Sequence, residues 1–444
     1  MEDSTVMTIT THARRGPILA GFCLAALVSP ALAGGLYISE FGQPNQGASS
    51  AGSQAIAEDA STAVQNPAGI VFLENKRDWL VSAIIIDSKI EFDVNPATTI
   101  TDAAGTGPPG DGGDAGSTAV GAGLFYARKL GSQEQFGFGF SLVSISGAAM
   151  EYKVPANFAG RYWAQEVELL TISVMPSFAY RINDKVSVSI GLPVLFGSLD
   201  MDVAIPPLIN IPANLDGQAI ISDGEDTSIS VNLGVMWQAT ETTRFGFIYV
   251  AENELSFDSD LRVTLPPNAP PMGGQIEAKA KVDIPFVQTV RVSIAHDVGD
   301  RATILGGVAW ENWSSFEDIL ISTDAGTGTL ARDWDDTWHL ALGLRWRTPG
   351  AWTFYTGAAY DTDPTDAAKR TSDMPMDRQI RISGGATYAK SDTFKIGGVI
   401  TYADYGDAEI NNSSLGEPPG GPGTLVGDYG TNRIIFAGLN FNWK

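Results

Sequence analysis

Nucleophilic hydrolysis by a Ser-His-Asp arrangement needs an imidazole to move the proton, and outside the N-terminal leader this chain holds only His296 and His339. Both fall in alternating segments, and no hydrolase motif surrounds any serine. His339 sits on the face opposite Trp338 and Leu340, so it reads as an interior polar residue. The single cysteine, Cys23, lies in the leader, which excludes thiol catalysis, disulfides and a Cys-based metal site. Carboxylates gather at Asp111-Gly112-Gly113-Asp114 and at Asp333-Trp334-Asp335-Asp336, but neither follows the Asp-x-Asp-x-Asp-Gly calcium spacing. Solvated loops loosely bridged by divalent ions account for both. Catalytic residues, a bound cofactor and a dedicated metal site are therefore not expected, and a formal net charge of −23 argues against nucleic acid.

The remaining chemistry is capture of apolar molecules. Residues 204–212 (AIPPLINIP), with Leu208, Ile209 and Ile211, are too apolar for an ordinary solvated connection, and Phe158-Ala159-Gly160-Arg161-Tyr162-Trp163 sets aromatics beside a cation. Exposed apolar patches mark binding sites; loop-against-loop packing is the alternative. A ligand carboxylate would want one cation in an otherwise apolar pocket. Arg161 is the first candidate, Arg291 and Arg378 the next. Without a dominant basic site, neutral aromatic hydrocarbons or alkanes are served as well.

The elements that must position these residues are strands. Residues 1–33 read as a secretory signal peptide, with Arg14 and Arg15 ahead of the apolar run Ile18–Val28 and cleavage after Ala33. A start at Met1 or Met7 leaves the mature chain unchanged. Beyond the signal no stretch approaches ~18 consecutive apolar residues, so a membrane could be crossed only by strands. Period-two alternation is plain in Trp338, Leu340, Leu342, Leu344 and Trp346, an apolar face with an aromatic at each end, as a lipid-facing strand requires. About fourteen such segments run from Trp79 to Trp443, an even number as in bacterial barrels. Short turns near 130–134, 183–184, 240–242, 299–300, 349–350 and 391–392 alternate with long polar connections near 94–117, 151–165, 204–225, 263–276, 321–335, 362–377 and 411–431. This predicts an all-β membrane protein, an antiparallel transmembrane β-barrel over 79–444 with both termini periplasmic and the first strand running outward.

Residues 34–78 do not alternate, are rich in Gly, Ala and Ser, and carry a helical patch near Ala55–Val64. A lumen this wide is either a wet channel or plugged, which makes this segment a partly helical hatch rather than leaving an open porin. Here Glu40-Phe41-Gly42, Gly47, Ala57-Glu58-Asp59-Ala60-Ser61-Thr62 and Asn66-Pro67-Ala68-Gly69 resemble the N-terminal hatch of the FadL/TodX family of outer-membrane transporters. Trp310-Glu311-Asn312-Trp313-Ser314 resembles its Trp-x-x-Trp-Ser strand, and Tyr360-Asp361-Thr362-Asp363-Pro364 with Pro375-Met376-Asp377-Arg378 its late-barrel signature. The resemblance spans essentially the whole mature chain.

The resemblance implies passive, cofactor-free uptake of hydrophobic molecules across the bacterial outer membrane, with long-chain fatty acids as the default and aromatic hydrocarbons or alkanes as the alternative. A lipid hydrolase and a structural or adhesive barrel are the readings from other classes. The partners are the hydrophobic solute, membrane lipid and lipopolysaccharide, and the expected state is a monomer. Loops 151–165 and 204–225 would form the low-affinity groove, Leu36 or Tyr37 would enter the inner pocket, and ligand would leave sideways near a kinked third strand, against which the rigid Asn66-Pro67-Ala68 turn would sit. Two departures stand out: no aromatic lies at the very start of the hatch, and the chain ends on Lys444 rather than an aromatic.

Overall fold

Alternation along the chain becomes fourteen antiparallel staves in the computed structural model, which describes residues 39–102, 107–206, 216–265, 274–316, 318–323, 326–414 and 422–444. The expected signal peptide, Leu36 and Tyr37, and the loop residues Leu208, Ile209 and Ile211 lie outside them. The staves are β1 (Arg77–Val94), β2 (Thr118–Leu130), β3 (Phe136–Glu151), β4 (Glu166–Arg181), β5 (Val186–Gly191 and Val194–Ile205), β6 (Gly217–Ile229 and Asn232–Gln238) and β7 (Thr243–Val250 and Asn253–Thr264). They continue as β8 (Gln275–Phe286 and Thr289–Val298), β9 (Ala302–Glu311 and Asp318–Thr323), β10 (Gly326–Ala331 and Thr337–Arg347), β11 (Trp352–Asp361), β12 (Gln379–Ser391), β13 (Phe394–Asp404) and β14 (Leu425–Trp443). Each pairs with its chain neighbours, and β14 returns to β1 with Trp443 opposite Trp79, closing the cylinder and leaving the sheet without a free edge of the usual kind.

The faces fall as the period requires. Trp338, Leu342 and Trp346 are 50%, 66% and 45% exposed on the outer surface, whereas Arg345 between them is 5% exposed in the lumen. The strands run further out than the composition suggests. Parts of the connections expected at 204–225, 263–276, 321–335 and 411–431 are paired strand. In β8 the outward Glu277, Lys279 and Lys281 alternate with inward Ala280, Val282 and Ile284, so a charged outer face disguises a strand that projects beyond the lipid.

Staves β5 to β8 are each interrupted, at 192–193, 230–231, 251–252 and 287–288. Single backbone bonds bridge the breaks, Leu192 N to Pro176 O at 3.0 Å, Ser230 N to Pro193 O at 2.9 Å and Ala251 N to Val231 O at 2.9 Å. Pro176 and Pro193 cannot donate to a ladder, which favours a break at this level. A second irregularity lies in β3. Its ladder with β2 ends at Val143 opposite Gly123, while its ladder with β4 continues to Glu151 after a register shift that leaves Ile145 as an extra residue.

Candidate functional site: a lumenal cavity above the hatch

The hatch enters the lumen as short helical turns, Pro44–Ala48, Ser53–Ile56, Thr62–Gln65 and Pro67–Phe72. None buries enough of its own surface to persist alone; the barrel wall supplies the partners. Glycines let the hatch backbone touch the wall: a Cβ at Gly246 would lie 1.8 Å from Gln54 O, and one at Gly357 2.2 Å from Ala48 O. Wall side chains then satisfy hatch carbonyls, with Lys129 Nζ donating to Leu73 O at 2.9 Å, Arg244 Nη1 to Ile56 O at 3.2 Å and Asn440 Nδ2 to Gly42 O at 2.9 Å. Two buried ion pairs, Glu40–Arg381 and Glu58–Arg345, both at 3.3 Å, complete the attachment.

Asn66 is fully buried, and its Nδ2 donates to Gln54 O at 2.8 Å within the hatch and to Val235 O of β6 at 3.0 Å. The Asn66-Pro67-Ala68 turn thus docks on β6 and β5, where Ser187 Oγ donates to Ala68 O at 2.5 Å, and not on the third strand as expected. The hatch residues that meet β3 include Ile70, packed over Gly137 and Gly139, and Ala63, against Gly139. The turn's rigidity serves β5 and β6, two and three staves from β3, because Asn66 Nδ2 finds an acceptor in Val235 O there.

Above the hatch lies a cavity of about 210 Å³, far more than the ~10–15 Å³ that admits one water centre, so it is ligand-scale rather than a packing defect. Its apolar side comprises Phe41, Val64, Ile145, Met175, Leu195 and Phe286, and it reaches both the broken belt at Pro193, Ser230 and Ala251 and the β3 irregularity. Its polar side is built by β8 to β12: Arg291, Glu311, His339, Asp361 and Arg381. These groups are paired, Arg291 with Glu311 at 2.8 Å, His339 Nδ1 with Asp361 at 2.9 Å, and Arg381 with both Asp361 and the hatch Glu40. Over the cavity an apolar roof includes Leu255, Phe257, Ile284, Phe286, Trp313, Phe316 and Trp334. The Trp-x-x-Trp-Ser segment fixes that roof, Trp310 Nε1 and Ser314 N both donating to Asp336 at 3.0 Å and Trp313 Nε1 to Glu311 at 2.9 Å.

The loop residues expected to form an exposed groove are placed differently. Phe158, Arg161, Tyr162 and Trp163 are 0%, 1%, 9% and 5% exposed, packed with Tyr152 and Phe92 under the outer loops. Phe158 stacks on Tyr152 with centroids 3.7 Å apart. The Arg161 guanidinium is committed to Asp216 at 2.6 Å, Phe158 O at 3.0 Å and the Tyr162 hydroxyl at 2.6 Å. Loop-against-loop packing accounts for these four residues, because the aromatic rings bury more area against each other than water would allow. Arg378 binds Asp404 at the rim. Of the three candidate cations only Arg291 lines the cavity. Arg381 was missed, although its place on the lumenal face, between outward Ile380 and Ile382, follows from the same period of two.

A closed fourteen-stave barrel with an apolar outer band, a lumen-filling hatch and a cavity between hatch and roof defines a plugged outer-membrane β-barrel. The family description "Outer membrane protein transport protein (OMPP1/FadL/TodX)" matches residues 24–444, and the chain belongs to that family of outer-membrane transport proteins. It is 24% identical to the long-chain fatty acid transport protein of Escherichia coli O6:H1, over 95% of this chain and 96% of that one. The fold is similar to the crystal structure of a Pseudomonas aeruginosa FadL homologue, with a TM-score of 0.82, 22% identity and coverage of 93% and 99%. It is also similar to the toluene transporter TodX of P. putida, with a TM-score of 0.67, 13% identity and coverage of 91% and 98%.

Proposed function

We propose that this chain mediates passive uptake of small hydrophobic molecules through the outer membrane, with long-chain fatty acids as the first candidates. The observation that carries the reading is a ligand-scale cavity whose apolar wall includes Ile145, at the level where the β2–β3 ladder ends. A ligand descending from the outer loops, where the apolar residues Leu208, Ile209 and Ile211 are assigned to capture, occupies the cavity against Phe41, Ile145, Met175 and Phe286. Entry into the pocket from the hatch start is assigned to Leu36 or Tyr37. The ligand leaves sideways between β2 and β3 into lipid, because downward escape is blocked by the docked hatch. The barrel is assigned to act as a monomer within lipid and lipopolysaccharide, its closed sheet leaving no edge strand for a partner to extend.

Fatty acids are favoured by the relatives' coverage of nearly the whole chain; aromatic hydrocarbons are the second reading, favoured by the fold likeness to a toluene transporter. Deleting Ile145 removes the extra residue and lets β3 continue its ladder with β2. Uptake of labelled hexadecanoic acid by cells carrying that variant is expected to fall at least tenfold, well beyond the weaker binding by the purified protein that loss of one apolar contact brings. Unchanged uptake would overturn the lateral route.

A further inference from the structure

Four consecutive staves bring Arg291, Ala309, His339 and Asp361 side by side at one height: Arg291 is registered with Ala309, Ala309 with His339, and His339 with Asp361. All four line the lumenal cavity. Ala309 projects only a methyl group, so a notch separates the guanidinium from the imidazole, two strand spacings or ~10 Å wide at the backbone. Arg291 uses Nη2 on Glu311 Oε1 at 2.8 Å, and its Nη1 and Nε donate to no described residue. His339 uses Nδ1 on Asp361 Oδ1 at 2.9 Å, and its Nε2 has no partner among the described residues. A carboxylate can only accept, so His339 Nδ1 carries a proton toward Asp361, and in the neutral imidazole Nε2 is then the acceptor. One side of the notch therefore offers donors and the other an acceptor.

We infer that this notch seats a carboxylic acid head group, an inference that rests on the uptake reading above and names the polar end of the ligand. The acid carbonyl accepts from Arg291 and its hydroxyl donates to His339 Nε2. The chain lies across the cavity on Ile145, Met175, Leu195 and Phe286. Passage of the acid proton to Nε2 leaves a carboxylate between imidazolium and guanidinium, with Asp361 and Glu311 behind them, so no further reactant is needed. Asp361 is a positioning residue, acting through His339. A hydrocarbon offers neither group and leaves both sides of the notch facing apolar surface, which disfavours it.

Equilibrium binding of radiolabelled hexadecanoic acid and of radiolabelled hexadecane to the full chain in detergent separates these outcomes. Ala309→Leu, which fills the notch, and His339→Phe and Arg291→Gln, which each remove one side, are expected to weaken acid binding at least tenfold while hexadecane binding stays within twofold. Acid binding within twofold of wild type in variants that assemble, judged by the heat-dependent gel mobility of the barrel, would overturn the head-group site. So would equal loss of both ligands, which would mark a change of cavity shape alone. Wild-type protein that binds neither ligand would overturn the uptake reading itself. If Ala309→Leu does not assemble, the other two variants decide.

Discussion

Asn66 illustrates how a weak motif acquires meaning from its neighbours. Its side chain connects Gln54 O, Val235 O and the Ala68 N–H, so it joins two hatch turns to the wall, and an unsatisfied carbonyl left by its removal costs ~1–3 kcal/mol. The adjacent hatch carboxylates respond to pH in opposite senses. Asp59 is raised above the usual carboxylate range, by burial first and then by the charge of Glu58, while its bonds from Ser61 oppose the rise. Glu58 is lowered: burial would raise it, but Arg345 and then Lys395 outweigh that. A carboxyl raised in the docked hatch takes up a proton on docking, so docking weakens as pH climbs from ~3.9 through the raised value. Asp59→Asn removes that loss. Its hatch is expected to resist protease better than wild type at pH 8 and equally at pH 4; the reverse order would contradict the assignment.

At the level of the element, the hatch is held by complementarity of backbone rather than by its own helices. Its turns are four to six residues long, well short of what is stable alone. Close approach at Gly246 and Gly357 is what lets those turns lie on the wall. Gly246→Leu puts a side chain where Gln54 O now sits, while its neighbours in β7 keep their ladder. The barrel is expected to assemble and the hatch to be displaced, read as a rise in single-channel conductance in planar bilayers. An unchanged closed baseline would mean that the hatch can shift without opening a path. The hatch sequence resembled a family motif, but the glycines that receive it are scattered through β7, β11 and other staves. No spacing in the linear chain marks them as a set.

For the whole molecule, the closed barrel turns an apolar face outward to lipid and encloses the cavity with its inner one. The hatch turns lie within the lumen, bonded to the wall. Deleting residues 39–65 removes the hatch turns before the Asn66-Pro67-Ala68 segment and both hatch ion pairs. The expected outcome is a stable ion leak together with loss of selective hexadecanoic acid uptake, measured in bilayers and in cells; retained selectivity would show that the wall alone discriminates. Strand number, the lipid-facing set and the alternation of short turns with long connections were legible from the sequence, because a pleated strand in lipid must alternate and every backbone group must find a partner inside the wall. Family membership was legible as well, in Glu40-Phe41-Gly42, Asn66-Pro67-Ala68 and Trp310–Ser314. Tertiary structure alone decided that Phe158, Arg161, Tyr162 and Trp163 are packed rather than exposed, that Asn66 docks on β6, and that Arg291, His339, Asp361 and Arg381 share one cavity wall. Those relations depend on register between staves far apart in sequence and on which carbonyls a folded hatch leaves open. Period-two patterning fixes the face of a side chain but not its height around a closed cylinder.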